Sequence, residues 1–275
     1  VSAVWIIAKR EMKLGYRNPW AYSFLALFSV FSLALVLIQS NRAAGLPAYT
    51  HATATMMNLI LYLLPMMTLL LGAFSVTAEK EDGTRDLLST YTLSSGAYMA
   101  GKFVGLVAVL ASILAVGFGL FGLVGAWLGQ GVTLADLALF LGFSAAILLL
   151  YLGIALLIGA LAANRWQALT MGVGVWFVTV LAWPTLLIAS LNLMPHSAVK
   201  PMLTLLTFCN PAELVRLFTV IQLGAGSILG PAYVQLVEGA SGPWGPVVMA
   251  GFGLLWLAVF QTLAVWVWER GRRRG

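Results

Sequence analysis

The chain has 275 residues, 61% hydrophobic and 9% charged, with fifteen basic and nine acidic side chains and a formal net charge of +6. Ordinary soluble domains are about 25% charged and about 45–50% apolar, so these few charges cannot cover a folded body of this size and most of its surface must face lipid. A soluble globular protein is thereby excluded, and the lone Cys209 excludes an intrachain disulfide or a thiolate metal site.

Residues 2–17 predict an amphipathic helix lying along the membrane. A step of about 100° per residue places Val4, Ile7, Ala8, Met12 and Leu14 on one side and Lys9, Arg10 and Lys13 on the other, with Ile6 and Glu11 as misfits. Trp5, Tyr16 and Trp20 suit the interface, and Asn18 and Pro19 mark the turn into the first span. The first apolar stretch is short and charges follow rather than precede it, so a cleaved leader is not expected.

No Asp, Glu, Lys or Arg occurs in 18–41, 43–78, 103–135, 137–164, 166–199 or 239–268. A helix crosses a hydrocarbon core about 30 Å thick in about 20 residues, so each gap admits a span. Six spans are predicted, near 20–39, 56–77, 103–128, 135–162, 167–192 and 247–268, in a single domain covering 1–275. A transmembrane β-barrel would alternate polar and apolar residues, and runs such as Ala145 to Leu157 do not. Six spans put both termini on one side. That side holds Lys9, Arg10, Lys13, Arg17, Lys80, Arg85, Lys102, Arg165, Arg270 and Arg272 to Arg274, leaving Arg42, Lys200 and Arg216 opposite, which predicts cytoplasmic termini. The pI near 9.7 follows from this topology, and the terminal arginines suit lipid headgroups rather than nucleic acid.

The segment 78–102 is the sizeable internal loop on the basic side and carries Glu79, Glu81, Asp82 and Asp86. Gly83 permits a turn, Thr84 could cap a short helix through Leu93, and Ser94 or Ser95 could cap the helix that follows. Such a helix, tied covalently to two spans, can transmit force; a merely solvated loop is the alternative. Gly96 to Phe103 imitates a phosphate-binding loop for seven positions, but Phe103 stands where Ser or Thr must hold magnesium. ATP chemistry is therefore expected from another polypeptide.

In 194–245 repeated Pro and Gly break the apolar pattern, while Phe208 to Leu223 and Ala232 to Val237 could touch lipid. Short external helices that dip into the membrane and turn back fit this pattern. Glu213 and Arg216 can pair on one helical face, as an outer seal, a docking point or a local structural pair. Small residues four apart, Gly101 with Gly105, Gly125 with Gly129 and Ala155 with Gly159, permit close helix contact. The pairs Met56-Met57 and Met66-Met67, with Met194 and Met202 flanking His196, could offer soft copper ligands, but Met is also ordinary core filler and the two histidines, His51 and His196, share no ligand spacing. No Ser, His and acid constellation or metalloprotease motif is present, so the chain is not expected to be an enzyme or to bind a cofactor itself. No Asp, Glu, Lys or Arg is predicted in the interior of the spans, so energy must enter from outside the bilayer.

The layout resembles the ABC-2 type permeases, the membrane subunits of ATP-binding-cassette transporters. The shared features are Lys9, Arg10 and Glu11 in the amphipathic helix, six spans, the internal loop with Glu79, Glu81, Gly83 and Thr84, and external helices before the last span. The resemblance implies an all-α integral membrane fold of type V exporter kind, with the amphipathic helix as an elbow. It further implies ATPase coupling through Lys9, Arg10, Glu11, Glu79, Glu81, Gly83, Thr84, Arg85, Asp86, Leu87 and Leu88. A narrower likeness, to the copper-processing permeases of nitrous oxide reductase maturation, rests on Asn210-Pro211-Ala212-Glu213-Leu214-Val215-Arg216-Leu217 and on Gly101-Lys102-Phe103-Val104-Gly105. The sequence departs from those relatives at Thr92 and Ser95, where they often carry Pro and Arg. The implied assembly is a homodimer in the bacterial inner membrane, two copies of a cytosolic ATPase carrying ATP and Mg, and a periplasmic β-helical partner docked near Asn210, Pro211, Glu213 and Arg216. Export of lipid, drug or polysaccharide is the alternative within the family, and an ATP-independent scaffold or enzyme the alternative outside it.

Overall fold

The structure, a computed structural model, describes residues 2–39, 51–84, 93–128, 134–226 and 233–272. Among them the regular elements are helical: α1 (Ala3–Gly15), α2 (Pro19–Gln39), α3 (His51–Glu81), α4 (Ser95–Trp127), α5 (Leu134–Leu161), α6 (Arg165–Trp176), a π-helical segment (Phe177–Ala182), α7 (Trp183–Asn192), α8 (His196–Cys209), α9 (Pro211–Gln222), α10 (Val234–Ser241) and α11 (Gly245–Arg272).

Five helical stretches are long and apolar enough to cross a membrane: Ala54–Glu81, Ser95–Trp127, Leu137–Leu161, Arg165–Asn192 and Gly245–Arg272. Helix α2 is apolar over Pro19–Ala34 and has 21 residues. At 1.5 Å per residue it is about 31 Å long, enough to reach across a hydrocarbon core. Helices α8 and α9 are bent by 107° at Asn210, the geometry of a pair that turns back. The sequence reads Phe208 to Leu223 as one apolar stretch; Pro211 breaks it, because a ring nitrogen cannot donate to the preceding turn but fits the first position of a new helix.

Helices α3 and α5 form the centre, and α6–α7 and α11 lie outermost. Close approach of α3 to α5 depends on small residues. A Cβ on Gly72 would sit 2.5 Å from that of Ala155, and one on Gly159 would sit 2.9 Å from the Ala73 carbonyl. This is the predicted Ala155 and Gly159 contact; Gly129, of the Gly125 pair, lies outside the described residues.

The helices run further than the charge pattern suggests. Helix α3 continues to Glu81 and α4 begins at Ser95, so the connection shrinks from 78–102 to 82–94. Helical backbone persists through Glu79 and Lys102 because both charges are neutralised by partners. Gly83 turns the chain with φ +69°, and the Ser94 hydroxyl caps α4 by accepting from the Ala97 amide. The imitation phosphate loop is therefore the first turns of α4.

Candidate functional site

Two polar constellations stand apart in the bundle, one at its basic end and one at the bend between α8 and α9. At the basic end, α1 lies against α4 on the face formed by Val4, Ala8, Glu11 and Gly15. Glycines bring the two backbones together: a Cβ on Gly105 would lie 2.6 Å from the Ala8 carbonyl oxygen, and one on Gly101 would lie 2.8 Å from that of Val4. Leu14, on the apolar side of the wheel, is 48% exposed at the protein surface, whereas the misfit Glu11 is 2% exposed. The stripe that meets α4 follows the 4-8-11-15 spacing, which brings Glu11 in and turns Leu14 out.

Glu11 is buried because a cation waits for it. Lys102, wholly buried in the first turns of α4, donates to Glu11 Oε1 at 2.6 Å and to the Ser75 carbonyl at 2.9 Å, and lies 3.1 Å from Glu79 Oε1. Arg10 reaches Glu79 Oε1 at 2.8 Å, and the Tyr98 hydroxyl donates to Glu79 Oε2 at 2.5 Å. Two carboxylates thus face two cations, the condition under which buried charges are tolerated. The Tyr98 ring stacks on Trp268 of α11 at 4.8 Å, and Ser95 bonds Glu269 beside it. Arg272 donates to the Leu93 carbonyl at 2.7 Å.

A second set of contacts ties in the α5–α6 junction. Lys80 Nζ donates to the Ala160 and Ala162 carbonyls at 2.7 Å each, satisfying acceptors that the end of α5 leaves open. Glu81 accepts from the Arg165 backbone amide at 2.7 Å and pairs with its side chain at 3.0 Å. One end of the bundle therefore gathers α1, the end of α3, the start of α4, the α5–α6 junction and the end of α11. Of the residues predicted for coupling, Glu11 and Glu79 are at its buried centre, Arg10 and Glu81 at its edge, and Lys9 and Gly83 on the surface. Thr84 is half-buried beside that surface, and Arg85, Asp86, Leu87 and Leu88 lie outside the described residues. Sequence reasoning missed Lys102 and Tyr98 as members, although a lone cation opening a long apolar run was itself a sign that an acid must meet it.

At the α8–α9 bend the hinge residue is Asn210, set against the middle of the Arg165–Asn192 stretch. Its Oδ1 accepts from the Ala212 amide at 2.9 Å, capping α9, and its Nδ2 donates to the Thr179 carbonyl at 2.7 Å. Thr179 lies in the π-helical segment just before Pro184, whose missing amide and bulky ring a widened turn accommodates. The Thr179 hydroxyl is 2.7 Å from that of Tyr151 in α5. Glu213 and Arg216 pair at 2.7 Å within α9, with Glu213 buried and Arg216 partly exposed. Burial and the Glu213 carboxylate push the Tyr233 phenol up. Among the described residues no three of His, Cys, Asp and Glu converge as metal ligands. The side chains of His51 and His196 lie outside the description, and Met56, Met57 and Met67 are packed in the core.

A multi-pass helical membrane protein with ionic fasteners at one end and a sharply bent helix pair set among its spans is the class this geometry defines. Residues 5–272 match the family described as ABC-2 family transporter protein, and the chain belongs to that family. It is 31% identical over 278 residues, 98% of its length and 99% of the relative's, to "Probable ABC transporter permease protein NosY" of Stutzerimonas stutzeri. The protein of the same name from Pseudomonas aeruginosa is 31% identical over 253 residues, covering 89% of this chain and 92% of the relative. The chain is an ABC-2 permease homologous to these proteins.

Proposed function

We propose that this permease carries no catalytic site of its own and converts work done by a separate cytosolic ATPase dimer into movement of its outer helices, in the maturation of the copper site of nitrous oxide reductase. The carrying observation is the buried Glu11–Lys102–Glu79 cluster, which joins α1 to the ends of α3 and α4. ATP, with Mg, closes the ATPase dimer; the motion enters through the exposed side of α1, with Lys9 and Arg10, and through the connection from Glu81 and Gly83 to Leu88. Because Glu11 and Glu79 are buried, they act by fastening the contact surface to the spans rather than by touching the ATPase. The basic end faces the cytosol, as the retention of Lys and Arg on that side of a bilayer favours. A second copy completes the membrane unit, and a periplasmic β-helical protein rests on α8–α10 near Asn210, Pro211, Glu213 and Arg216. The coupling is a two-state shift driven by differential binding of nucleotide.

Pull-down of the full chain from solubilised bacterial inner membranes tests this reading. Leu88→Arg is expected to release the ATPase and keep the periplasmic partner, while Arg216→Glu does the reverse. Retention of the ATPase by Leu88→Arg, with activity intact, points instead to an ATP-independent scaffold. Recovery of an ATPase with no periplasmic protein points to an exporter of lipid, drug or polysaccharide.

A further inference from the structure

A cleft of about 640 Å³ opens at the basic end between the end of α5 and the end of α11. Its walls include Lys80, Leu161, Trp266, Trp268 and Arg270, and no acid is among its lining residues. The Arg270 guanidinium lies 3.7 Å from the centre of the Trp266 ring, and Lys80 Nζ lies 5.7 Å from that of Trp268. Two cations are thus held against indoles at the level where two spans leave the hydrocarbon. Indole and guanidinium both favour that interfacial layer.

Below the cleft the outer surface of α11 continues as a single apolar track. Leu255, Val259, Leu263 and Trp266 are 57%, 38%, 42% and 51% exposed, and with Arg270 they follow one another at spacings of four, four, three and four. Steps of 100° keep all five within an arc of about 80°, and fifteen residues at 1.5 Å give a track about 22 Å long, the scale of an acyl chain.

We propose that this cleft and track form a binding site for one anionic phospholipid of the surrounding leaflet, with the phosphodiester between Arg270 and Lys80 and an acyl chain along Leu263, Val259 and Leu255. A cationic cleft between spans selects an anionic headgroup by charge, and the track adds the apolar surface that a soluble anion cannot use. Arg272, which the sequence grouped with the headgroup-binding arginines, donates to the Leu93 carbonyl and is not among the residues that line the cleft.

The test uses the full chain, purified in detergent, stripped of lipid and titrated with mixed micelles of phosphatidylglycerol or phosphatidylcholine, with bound lipid counted by native mass spectrometry. Phosphatidylglycerol is expected to occupy one site per chain at a lower concentration than phosphatidylcholine. Arg270→Gln should weaken it about fivefold and Arg270→Glu about twentyfold, as loss and reversal of one surface charge require. Trp266→Leu, which keeps the charge, serves if the Arg270 variants do not fold and is expected to weaken phosphatidylglycerol several-fold. Equal uptake of the two lipids, or unchanged uptake in the folded variants, overturns the proposal. Displacement of phosphatidylglycerol by millimolar inorganic phosphate overturns it in favour of a free-phosphate site. Loss of a bound ATPase from Arg270→Glu with lipid uptake unaltered overturns it in favour of a protein contact.

Discussion

The basic end of the bundle and the α8–α9 bend use buried carboxylates in different ways. At the basic end the ionic contacts join residues far apart in the chain, Arg10 to Glu79 and Glu11 to Lys102. At the α8–α9 bend Glu213 pairs with Arg216 three residues on in the same helix, and the ties to the spans are neutral hydrogen bonds, from the Asn210 amide to the Thr179 carbonyl and from the Trp256 indole to the Phe208 carbonyl. A cross-chain ionic cluster makes α1, α3 and α4 move together. A local pair bridges no two elements, so α9 is held to its neighbours by packing and by those hydrogen bonds. One region is a joint cross-linked by charge; the other is a bend, or pivot, in the chain with no ionic link between elements.

The sharpest way to break this comparison is to remove the centre of the joint. Lys102→Met leaves Glu11 and Glu79 with only Arg10 between them, and breaking a buried pair in this way costs about 3–5 kcal/mol. The thermal midpoint of the purified chain should fall accordingly. Adding Glu11→Gln removes the excess negative charge and should restore part of the loss, a positive coupling readable in a double-mutant cycle. A single variant as stable as the parent would show that the cluster fastens nothing.

The pivot should respond less. Asn210→Ala removes the cap of α9, an effect of about 0.5–2 kcal/mol, and leaves the Thr179 carbonyl without its Asn210 donor. Amide exchange over 177–183 should rise more than exchange in α3 or α5. Asn210→Asp separates the two roles, because it keeps the acceptor for the Ala212 amide and loses the donor to Thr179. Exchange confined to the π-helical segment in Asn210→Asp would place the pivot there; no change in that segment would mean that the amide bond does not hold it.

Much of this was legible in the sequence where the physics is one-dimensional. Charge-free runs mark helices that cross lipid, Ser94 and Gly83 mark the start and turn their chemistry suits, and Glu213 and Arg216 pair at their spacing because both stand on one helix. What escaped was tertiary. Glu11 is a misfit on an amphipathic wheel until Lys102, ninety-one residues away, is set against it, and nothing local in either segment names the other. Gly101 and Gly105 announced a close helix contact, but their partner is α1 rather than another span or another copy. The charge pattern likewise ended the second span at 77 and opened the third at 103, short of Glu81 and Ser95, since a rule that counts charges cannot see that Glu79 and Lys102 neutralise each other; only the cap at Ser94 marked where α4 starts. Asn210 was found as part of a motif, yet its tie to Thr179 depends on a widened turn that composition does not reveal.

The smallest expected effect gives the finest test of the contrast. Glu213→Gln keeps the shape of the side chain and replaces an ion pair within one helix by a neutral hydrogen bond to Arg216. Such a pair contributes about 0–1 kcal/mol, and the carboxylate in the first turn of α9 adds about 0.3–1 kcal/mol through the helix dipole. The thermal midpoint should therefore move far less than in Lys102→Met. If the pair is a docking point, the same substitution should weaken capture of the periplasmic partner while stability barely changes, because buried Glu213 then serves to hold the partly exposed Arg216 toward that partner. A midpoint that falls as far as in Lys102→Met would mean that Glu213 is held by more than its own helix, and the α8–α9 bend would then be a second joint cross-linked by charge.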